Sequence, residues 1–262
     1  GAVEETIERA QYAEHLGYDF ISSGEHFMSG HTSPSHTILP VLAVAAGATK
    51  DIRLLSAVLF FPLYHPTMIA KLTTTLDIAS GGRLTLGIGV GGEVPTEFAS
   101  MGLSPRSRGA RTNEGLALLR RLYTEEHVTH TGRYFPVEDI TLKPSSIQTP
   151  HPPIWVAGRR DAAMKRAAHY GDGWLPIGYT PELFEDHKDQ IVDSMNKNER
   201  TEEDKQDFQM AMDIDVYFAD DKESSWAKMK EAIKVSLFKP EILRVHGLKD
   251  IEGFDFKKYF TE

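Results

Sequence analysis

Short apolar runs alternate with stretches of helical periodicity along most of the chain. Apolar residues at helical spacing predict helices over Val3–Leu16, over Ile38–Ala48, from Pro66 to Gly81, from Thr112 or Asn113 to Tyr123, and over Asp161–His169. Apolar runs bounded by turn residues predict six buried strands: Tyr18–Ser22, Ile52–Phe61, Arg83–Val90, Ile154–Ala157, Trp174–Ile177 and Gln209–Ala219. A β excursion is predicted at Arg133–Phe135, and a long loop between Gly92 and Arg111.

Strands and helices in this order indicate parallel βαβ units of the α/β class. We favour a closed (β/α)8 TIM barrel over an open doubly wound sheet, because polar or Gly-rich clusters follow nearly every strand at its carboxyl end. No linker separates two cores, so residues 1–262 are predicted to form a single barrel domain. The chain begins in a helix and offers only Glu241–Val245 as a weak further strand. Terminal strands are therefore expected to be missing or trimmed.

Composition narrows the class of protein. The 262 residues carry 29 Lys and Arg against 38 Asp and Glu, a formal net charge of −9, which opposes nucleic acid and anionic lipid as partners. No apolar run approaches the roughly 18 residues of a membrane-spanning helix. The absence of cysteine excludes thiolate nucleophiles, disulfides and Cys-built metal sites. We therefore expect a cytoplasmic enzyme.

The glycines that follow the third predicted strand have the spacing Gly87-x-Gly89-x-x-Gly92. A dinucleotide fingerprint would need a helix at once and an acidic residue at a strand end about 20 residues on, but Pro95 intervenes and Glu114 lies in a predicted helix. The glycines allow either close strand packing or a flat ligand against the backbone. We favour the ligand, because consecutive glycines at this edge of a barrel cost conformational entropy.

Two further segments carry candidate chemistry. Glu25-His26-Phe27 ends the first strand, so His26 is expected to face the barrel mouth, where it could transfer a proton; the alternative is a loop histidine bonded to a backbone carbonyl. Gly158, Arg159, Arg160 and Asp161 join a strand to a helix. Free backbone N–H groups and two guanidinium groups would bind a phosphate there, unless the arginines are solvated charges.

Other polar clusters favour simpler interpretations. His31 and His36 lie within ten residues of His26, but their spacing matches no metal-binding motif, so a metal-dependent hydrolase is the weaker alternative. Arg106, Arg108 and Arg111 could gather an anionic substrate, although surface ion pairing is the commoner outcome.

Several motifs in a fixed order over roughly residues 1–180 resemble the bacterial luciferase-like monooxygenase superfamily. They are Gly24-Glu25-His26-Phe27, Phe61–Pro66, Ser80–Gly91, Pro153–Gly158 and Gly171–Trp174. The resemblance implies a (β/α)8 barrel, usually dimeric, that holds FMN or the deazaflavin coenzyme at its carboxyl-terminal mouth. A separate nicotinamide-linked reductase often supplies the reduced flavin.

The resemblance also assigns roles to individual positions. It implies that His26 lies beside the flavin and assists proton transfer, with Glu25 in the acidic or polar position before it. It implies that one strand passes behind the isoalloxazine ring of the flavin, often through a non-proline cis peptide bond. It also implies that the backbone of a second segment faces this ring and that a later turn binds the phosphate. The corresponding residues are Ala57, Val58 and Leu59 for the strand, Val90 and Gly91 for the ring, and Gly158, Arg159, Arg160 and Asp161 for the phosphate. Glu93 lies near a proton-handling position of some deazaflavin enzymes, but an extra residue shifts its register.

The sequence thus predicts a flavin-dependent oxidoreductase, most simply a monooxygenase in which reduced FMN reacts with dioxygen and a small-molecule substrate. Hydride transfer with the deazaflavin coenzyme is the alternative within the family. A flavin-binding protein without catalytic activity is the alternative from another class, and the expected loss of terminal barrel strands supports it. The substrate is not identifiable from the sequence, because specificity depends on the loops Ser29–His36 and Glu93–Arg111.

Overall fold

The computed structural model describes residues 2–27, 36–91, 94–177, 181–214 and 216–237. The helices in these ranges are α1 (Ala2–His15), α2 (Ile38–Ala48), α3 (Pro66–Ser80), α4 (Pro95–Ser100), α5 (Arg108–Thr124), α6 (Asp161–Tyr170), α7 (Pro181–Lys197), α8 (Glu202–Asp207) and α9 (Lys222–Leu237). The strands are β1 (Phe20–Ser23), β2 (Arg53–Ser56), β3 (Leu59–Phe60), β4 (Leu84–Gly89), β5 (Val128–His130), β6 (Val137–Ile140), β7 (Ile154–Ala157), β8 (Gly173–Leu175) and β9 (Gln209–Met210). Short 3-10 turns occupy Phe61–Leu63 and Pro105–Ser107.

Most of the strands form one parallel sheet in the order β1-β2-β4-β7-β8-β9, and β3 pairs with the carboxyl end of β4. The pairs are in parallel register, for example Ile21 with Leu54 and Leu86 with Ile154. Strands β5 and β6 form a separate antiparallel pair. The α/β class and the parallel βαβ units predicted from the sequence are therefore confirmed.

The two faces of the sheet bury different side chains, as the alternation of residues along a strand requires. The main core lies between the sheet and the helices and contains Leu54, Leu86, Ile154 and Val156. A second, smaller cluster lies on the opposite face. It is formed by Leu55, Trp155 and Leu175, with Phe20, Ala57, Val58 and Ala211 packed against them.

The predicted closed barrel of eight strands is not present in the described residues, where the sheet forms a half-barrel. The expected strand Gln209–Ala219 shortens to β9, followed by a single parallel bridge from Ile177 to Asp213. Ile214 and Val216 are 61% and 60% exposed, so no further strand of the described chain covers them. The weak strand expected at Glu241–Val245 lies outside the described residues.

Several predicted boundaries were also wrong. The expected strand Ile52–Phe61 is two strands, β2 and β3, separated at Ala57-Val58. Helix α5 begins at Arg108, and Thr112 lies inside it, where its hydroxyl donates to the Arg108 carbonyl instead of capping the helix. The expected long loop contains α4.

The predicted β excursion at Arg133–Phe135 is instead the connection between β5 and β6. Its backbone N–H groups donate to the Glu114 carboxylate, so they form no strand ladder there. Across the described ranges, every helix is too short or too polar to traverse a lipid bilayer.

Candidate active site

The candidate residues lie where β1, β2, β4 and β7 reach their carboxyl ends, which share one edge of a parallel sheet. Contacts bring three of these strand ends together. A Cβ placed on Gly24 would lie 2.9 Å from the carbonyl oxygen of Ala57, and the rings of His26 and Phe60 meet edge-on with centroids 5.6 Å apart. Gly91 in turn lies against the Phe60 ring.

His26 has a partly exposed ring held by a buried carboxylate. Its Nδ1 lies 3.1 Å from Oε1 of Glu97, and the two side chains are 37% and 1% exposed. The same Oε1 accepts the backbone N–H of Phe27 at 2.7 Å. One carboxylate oxygen therefore holds both the ring and the backbone that follows it.

Glu97 is a site residue that the sequence analysis missed. It lies in the first turn of α4, and the neighbouring Phe98 is fully buried. Its second carboxylate oxygen, Oε2, is buried and has no hydrogen-bond partner among the described residues. Pro95 two residues earlier is a typical first helical residue and was the available signal for this short helix.

Glu25 is buried and bonded to protein groups through both oxygens. Oε1 accepts the Phe60 N–H at 3.1 Å and the Tyr64 hydroxyl at 3.1 Å, and Oε2 accepts the Ile38 N–H at 3.3 Å. Burial raises the pKa of Glu25, although these hydrogen bonds oppose the rise. Burial and the adjacent Glu25 also raise the pKa of Tyr64. Glu25 thus connects the end of β1 to β3 and to the start of α2.

The segment Ala57, Val58 and Leu59 joins β2 to β3. The Ala57–Val58 peptide bond is cis, as the resemblance implied. Ala57 and Val58 are half-buried, whereas the Leu59 side chain is fully buried in the main core. At the carboxyl edge of the sheet, Leu59 can therefore present its backbone but not its side chain.

The glycines of β4 are required for strand packing, which corrects the preference for a ligand at Gly87 and Gly89. A Cβ on Gly87 would lie 1.9 Å from the carbonyl oxygen of Ser56, and one on Gly89 would lie 2.5 Å from Cγ2 of Val58. Val90 and Gly91 follow at the partly exposed edge, and Gly91 has a positive φ of 58°. A ligand contact stays a prediction for those two residues.

The turn after β7 contains the residues predicted to bind a phosphate. Gly158 has a φ of 123°, and its carbonyl accepts the indole N–H of Trp174 at 2.9 Å. Arg160 is the N-cap of α6 and makes no side-chain capping bond. Arg159 is half-buried, and Arg160 and Asp161 are exposed. Two guanidinium groups at the positive end of a helix favour an anion, while Asp161 opposes one.

The remaining polar candidates have other surroundings. In the ranges that the structure covers, no three His, Asp or Glu side chains are arranged to hold a metal ion, and His31 lies outside those ranges. Arg111 donates to the Pro62 carbonyl and lies 4.7 Å above the Phe135 ring, and Arg108 donates to the Pro105 carbonyl.

The carboxyl end of this parallel sheet therefore brings together a histidine held by a buried carboxylate, the partly exposed residues Val90 and Gly91, and a turn with two arginines at the start of a helix. The fold is that of an α/β protein whose candidate residues share one edge of the sheet. The family model described as luciferase-like monooxygenase matches residues 1–257, and the chain belongs to this family.

Individual relatives differ in cofactor. The chain is 29% identical over 64% of its length to the F420-dependent hydroxymycolic acid dehydrogenase of Mycobacterium tuberculosis, covering 48% of that protein. It is 28% identical over 70% of its length to the FMNH2-dependent dimethylsulfone monooxygenase of Pseudomonas putida, covering 51% of that protein. The chain thus spans about half the length of these curated relatives.

A solved structure matches more of the chain. The crystal structure of monooxygenase RslO1 from Streptomyces bottropensis superposes with a TM-score of 0.78 at 28% identity. The match covers 99% of this chain and 77% of that chain. The architecture described above is therefore shared with a solved monooxygenase structure.

Proposed function

We propose that this chain carries the catalytic site of a flavin-dependent monooxygenase that uses reduced FMN and dioxygen to oxidise a small organic molecule. The observation that carries the proposal is the His26 ring, which is accessible at the carboxyl edge of the sheet and held by a buried carboxylate. Family membership supports the choice of flavin chemistry for this edge. We propose His26 as the acid/base, with Glu25 as its buried neighbour.

The described residues suit a flavin, which has a flat apolar ring system at one end and a phosphate at the other. Ala57, Val58 and the backbone of Val90 and Gly91 provide a partly exposed surface at the strand edge. Arg159, Arg160 and the first turn of α6 provide positive charge at the end of β7. Reduced FMN would supply the electrons that activate dioxygen, and the chain would bind and orient it, exclude water and handle protons.

The deazaflavin coenzyme is the second candidate. It is supported by the F420-dependent dehydrogenase, which is as similar to this chain as the FMNH2-dependent enzyme, at 29% against 28% identity. With that coenzyme the reaction would be hydride transfer, and His26 would act on a substrate hydroxyl. Both candidates use the same edge of the sheet.

The wider setting of the site is part of the proposal. We propose that residues 1–262 belong to one (β/α)8 barrel domain. We also propose a homodimer in the cytoplasm that receives reduced flavin from a separate reductase, without nucleic acid or membrane as partners. These features come from the family resemblance and the composition of the chain.

Equilibrium binding tests the proposed function. Oxidised and reduced FMN and F420 would each be titrated anaerobically into the purified chain, with quenching of flavin or tryptophan fluorescence as the readout. We expect reduced FMN to bind most tightly and to support oxygen consumption when air is admitted. Preference for F420 would replace monooxygenation with hydride transfer, and no binding of either would overturn the proposal.

A further inference from the structure

We propose that Glu97 is a positioning residue that fixes the tautomer of His26, so that the neutral ring carries its proton on Nδ1 and its lone pair on Nε2. A role of His26 in turnover rests on the proposed function, whereas the orientation of its ring does not. The contact that carries the inference joins Nδ1 of His26 to Oε1 of Glu97 at 3.1 Å.

The hydrogen bonds around Oε1 decide which atom donates. Oε1 already accepts the Phe27 N–H at 2.7 Å, so it acts as an acceptor at this site. An ionised carboxylate can only accept, so with Glu97 ionised the proton of the hydrogen bond between Oε1 and Nδ1 belongs to the imidazole. In the neutral ring a proton on Nδ1 leaves the lone pair on Nε2. Nε2 can then accept a proton from a bound molecule and return it.

The backbone of Glu97 lies in a hydrogen-bonded helical turn. Glu97 lies in the first turn of α4, where the helix end favours negative charge. Its N–H donates to the Val94 carbonyl, and its own carbonyl accepts the Ser100 hydroxyl. Phe98 next to it is fully buried and lies near Gly91. The backbone of Glu97 is thus held by contacts that do not involve the histidine.

A second carboxylate also lies near the histidine. Glu25, the preceding residue, is buried and bonded to Phe60, Tyr64 and Ile38. Phe60 contacts the ring of His26 and carries no charge. Burial disfavours the charged form of Glu25, and of the two carboxyl groups only Glu97 has a hydrogen bond to the ring among the described contacts.

The unpartnered oxygen of Glu97 distinguishes this residue from a purely structural carboxylate. Oε2 is buried without a hydrogen-bond donor among the described residues, which is a costly arrangement for a carboxylate oxygen. Glu114 forms the contrast: both of its oxygens accept backbone N–H groups, from Arg133, Tyr134 and Phe135. Glu114 lies 3.7 Å from His130 and is therefore a matched control for loss of a carboxylate near a histidine.

The test is nitrogen-15 NMR of the histidine rings in the full chain, with the His26 signals assigned by their loss in H26Q. We expect neutral His26 in the parent protein to carry its proton on Nδ1. In E97Q we expect a lower pKa for His26 than in the parent, because the imidazolium loses its anionic partner. The E114Q control is expected to leave the His26 signals unchanged.

Turnover provides the second readout. We expect kcat/KM in E97Q to fall by at least about 10- to 100-fold, the range found for carboxylates that orient metal-ligating histidines, with the pH profile displaced in the direction of the NMR titration. Flavin affinity is expected to stay within about twofold of the parent, because Glu97 acts through His26.

A proton on Nε2 in the parent, or an unchanged His26 titration in E97Q, would overturn the proposal. If E97Q fails to fold, the tautomer of neutral His26 in the parent protein is by itself the test of the proposal. If the NMR results are as expected but no flavin supports turnover, the positioning role stands and the proposed function fails.

Discussion

Nδ1 of His26 lies 3.1 Å from Oε1 of Glu97, although 71 residues separate them in the chain. The loop after β1 supplies the ring, and a six-residue helix after β4 supplies the carboxylate. Because β1 and β4 belong to one parallel sheet, with β2 between them, their carboxyl ends bring these two segments to the same edge. The candidate site thus depends on the topology of the sheet rather than on a local motif.

Replacement of His26 tests its role as the acid/base. We expect His26→Gln to lower kcat about 100-fold or more, because general acid–base catalysis contributes a factor of that order. The dissociation constant of reduced FMN should change little, since no charge that faces the phosphate is lost. Stopped-flow turnover and anaerobic titration measure the two quantities. Unchanged turnover would remove His26 from the mechanism.

Replacement of both Arg159 and Arg160 by Ala tests the proposed phosphate site. A hydrogen bond to a charged group contributes about 1.5 to 3 kcal/mol, so loss of such bonds should weaken FMN binding by about 10- to 100-fold. Riboflavin, which lacks the phosphate, should bind the parent and the variant equally. Arg133→Ala is the control, because Arg133 is exposed and stacks on Tyr134 away from α6. Equal weakening of FMN and riboflavin would contradict the assignment.

The elements that the sequence predicted best are those whose ends are marked by strong local signals. Helix α2 and strand β7 have the predicted bounds, because Thr49-Lys50-Asp51 follows the first and Pro152-Pro153 precedes the second. Residues 52–61 form a single apolar run in the sequence. Their apolar character does not reveal that the strand pairing is interrupted at Ala57-Val58, between β2 and β3. The run at 209–219 is apolar too, but β9 ends at Met210. Strand length depends on which neighbour is available, and this is not a local property.

The site shows the same division between local and long-range information. His26 and the turn after β7 were predicted because strand ends are recognisable in the sequence. Glu97 was missed because a helix of six residues has too few positions to show periodicity. The glycines of β4 were assigned to a ligand, whereas the space beside Gly87 and Gly89 is filled by Ser56 and Val58 of neighbouring segments. That occupancy is visible only in the packed structure.

Two glycine substitutions separate packing from helix propensity. We expect Gly87→Ala to lower the free energy of unfolding by about 1 to 3 kcal/mol or more, because its Cβ would lie 1.9 Å from the Ser56 carbonyl oxygen. Gly47→Ala, inside α2 and with no atom within 4 Å of its added Cβ, should raise that free energy by about 0.5 to 1 kcal/mol. Urea unfolding followed by circular dichroism measures both. A neutral Gly87→Ala would contradict the packing role.

The buried Glu25 should make the free energy of unfolding depend on pH. Burial raises its pKa above the ordinary 4.5, so the folded chain keeps this proton at a pH where the unfolded chain has released it. The contribution of protonated Glu25 to the free energy of unfolding is therefore complete below the pKa of the unfolded chain, and it is lost as the pH rises through the pKa of the folded chain. The Gln side chain of Glu25→Gln resembles the protonated acid and does not titrate. We expect the free energy of unfolding of the parent, relative to Glu25→Gln, to fall as the pH rises from about 4.5 through the raised pKa of the folded chain.

Glu14 supplies a control of opposite sign for the Glu25 experiment. It is partly exposed, and hydrogen bonds from the N–H groups of Asp51, Ile52 and Lys50 lower its pKa. A group whose pKa is lowered in the folded chain contributes stability above its unfolded pKa, and this stability is lost as the pH falls through the folded pKa. The free energy of unfolding of the parent, relative to Glu14→Gln, should therefore increase as the pH rises. Urea titrations of the three proteins at several pH values measure both differences. Parallel slopes for the two variants would show that burial does not control the ionisation of Glu25.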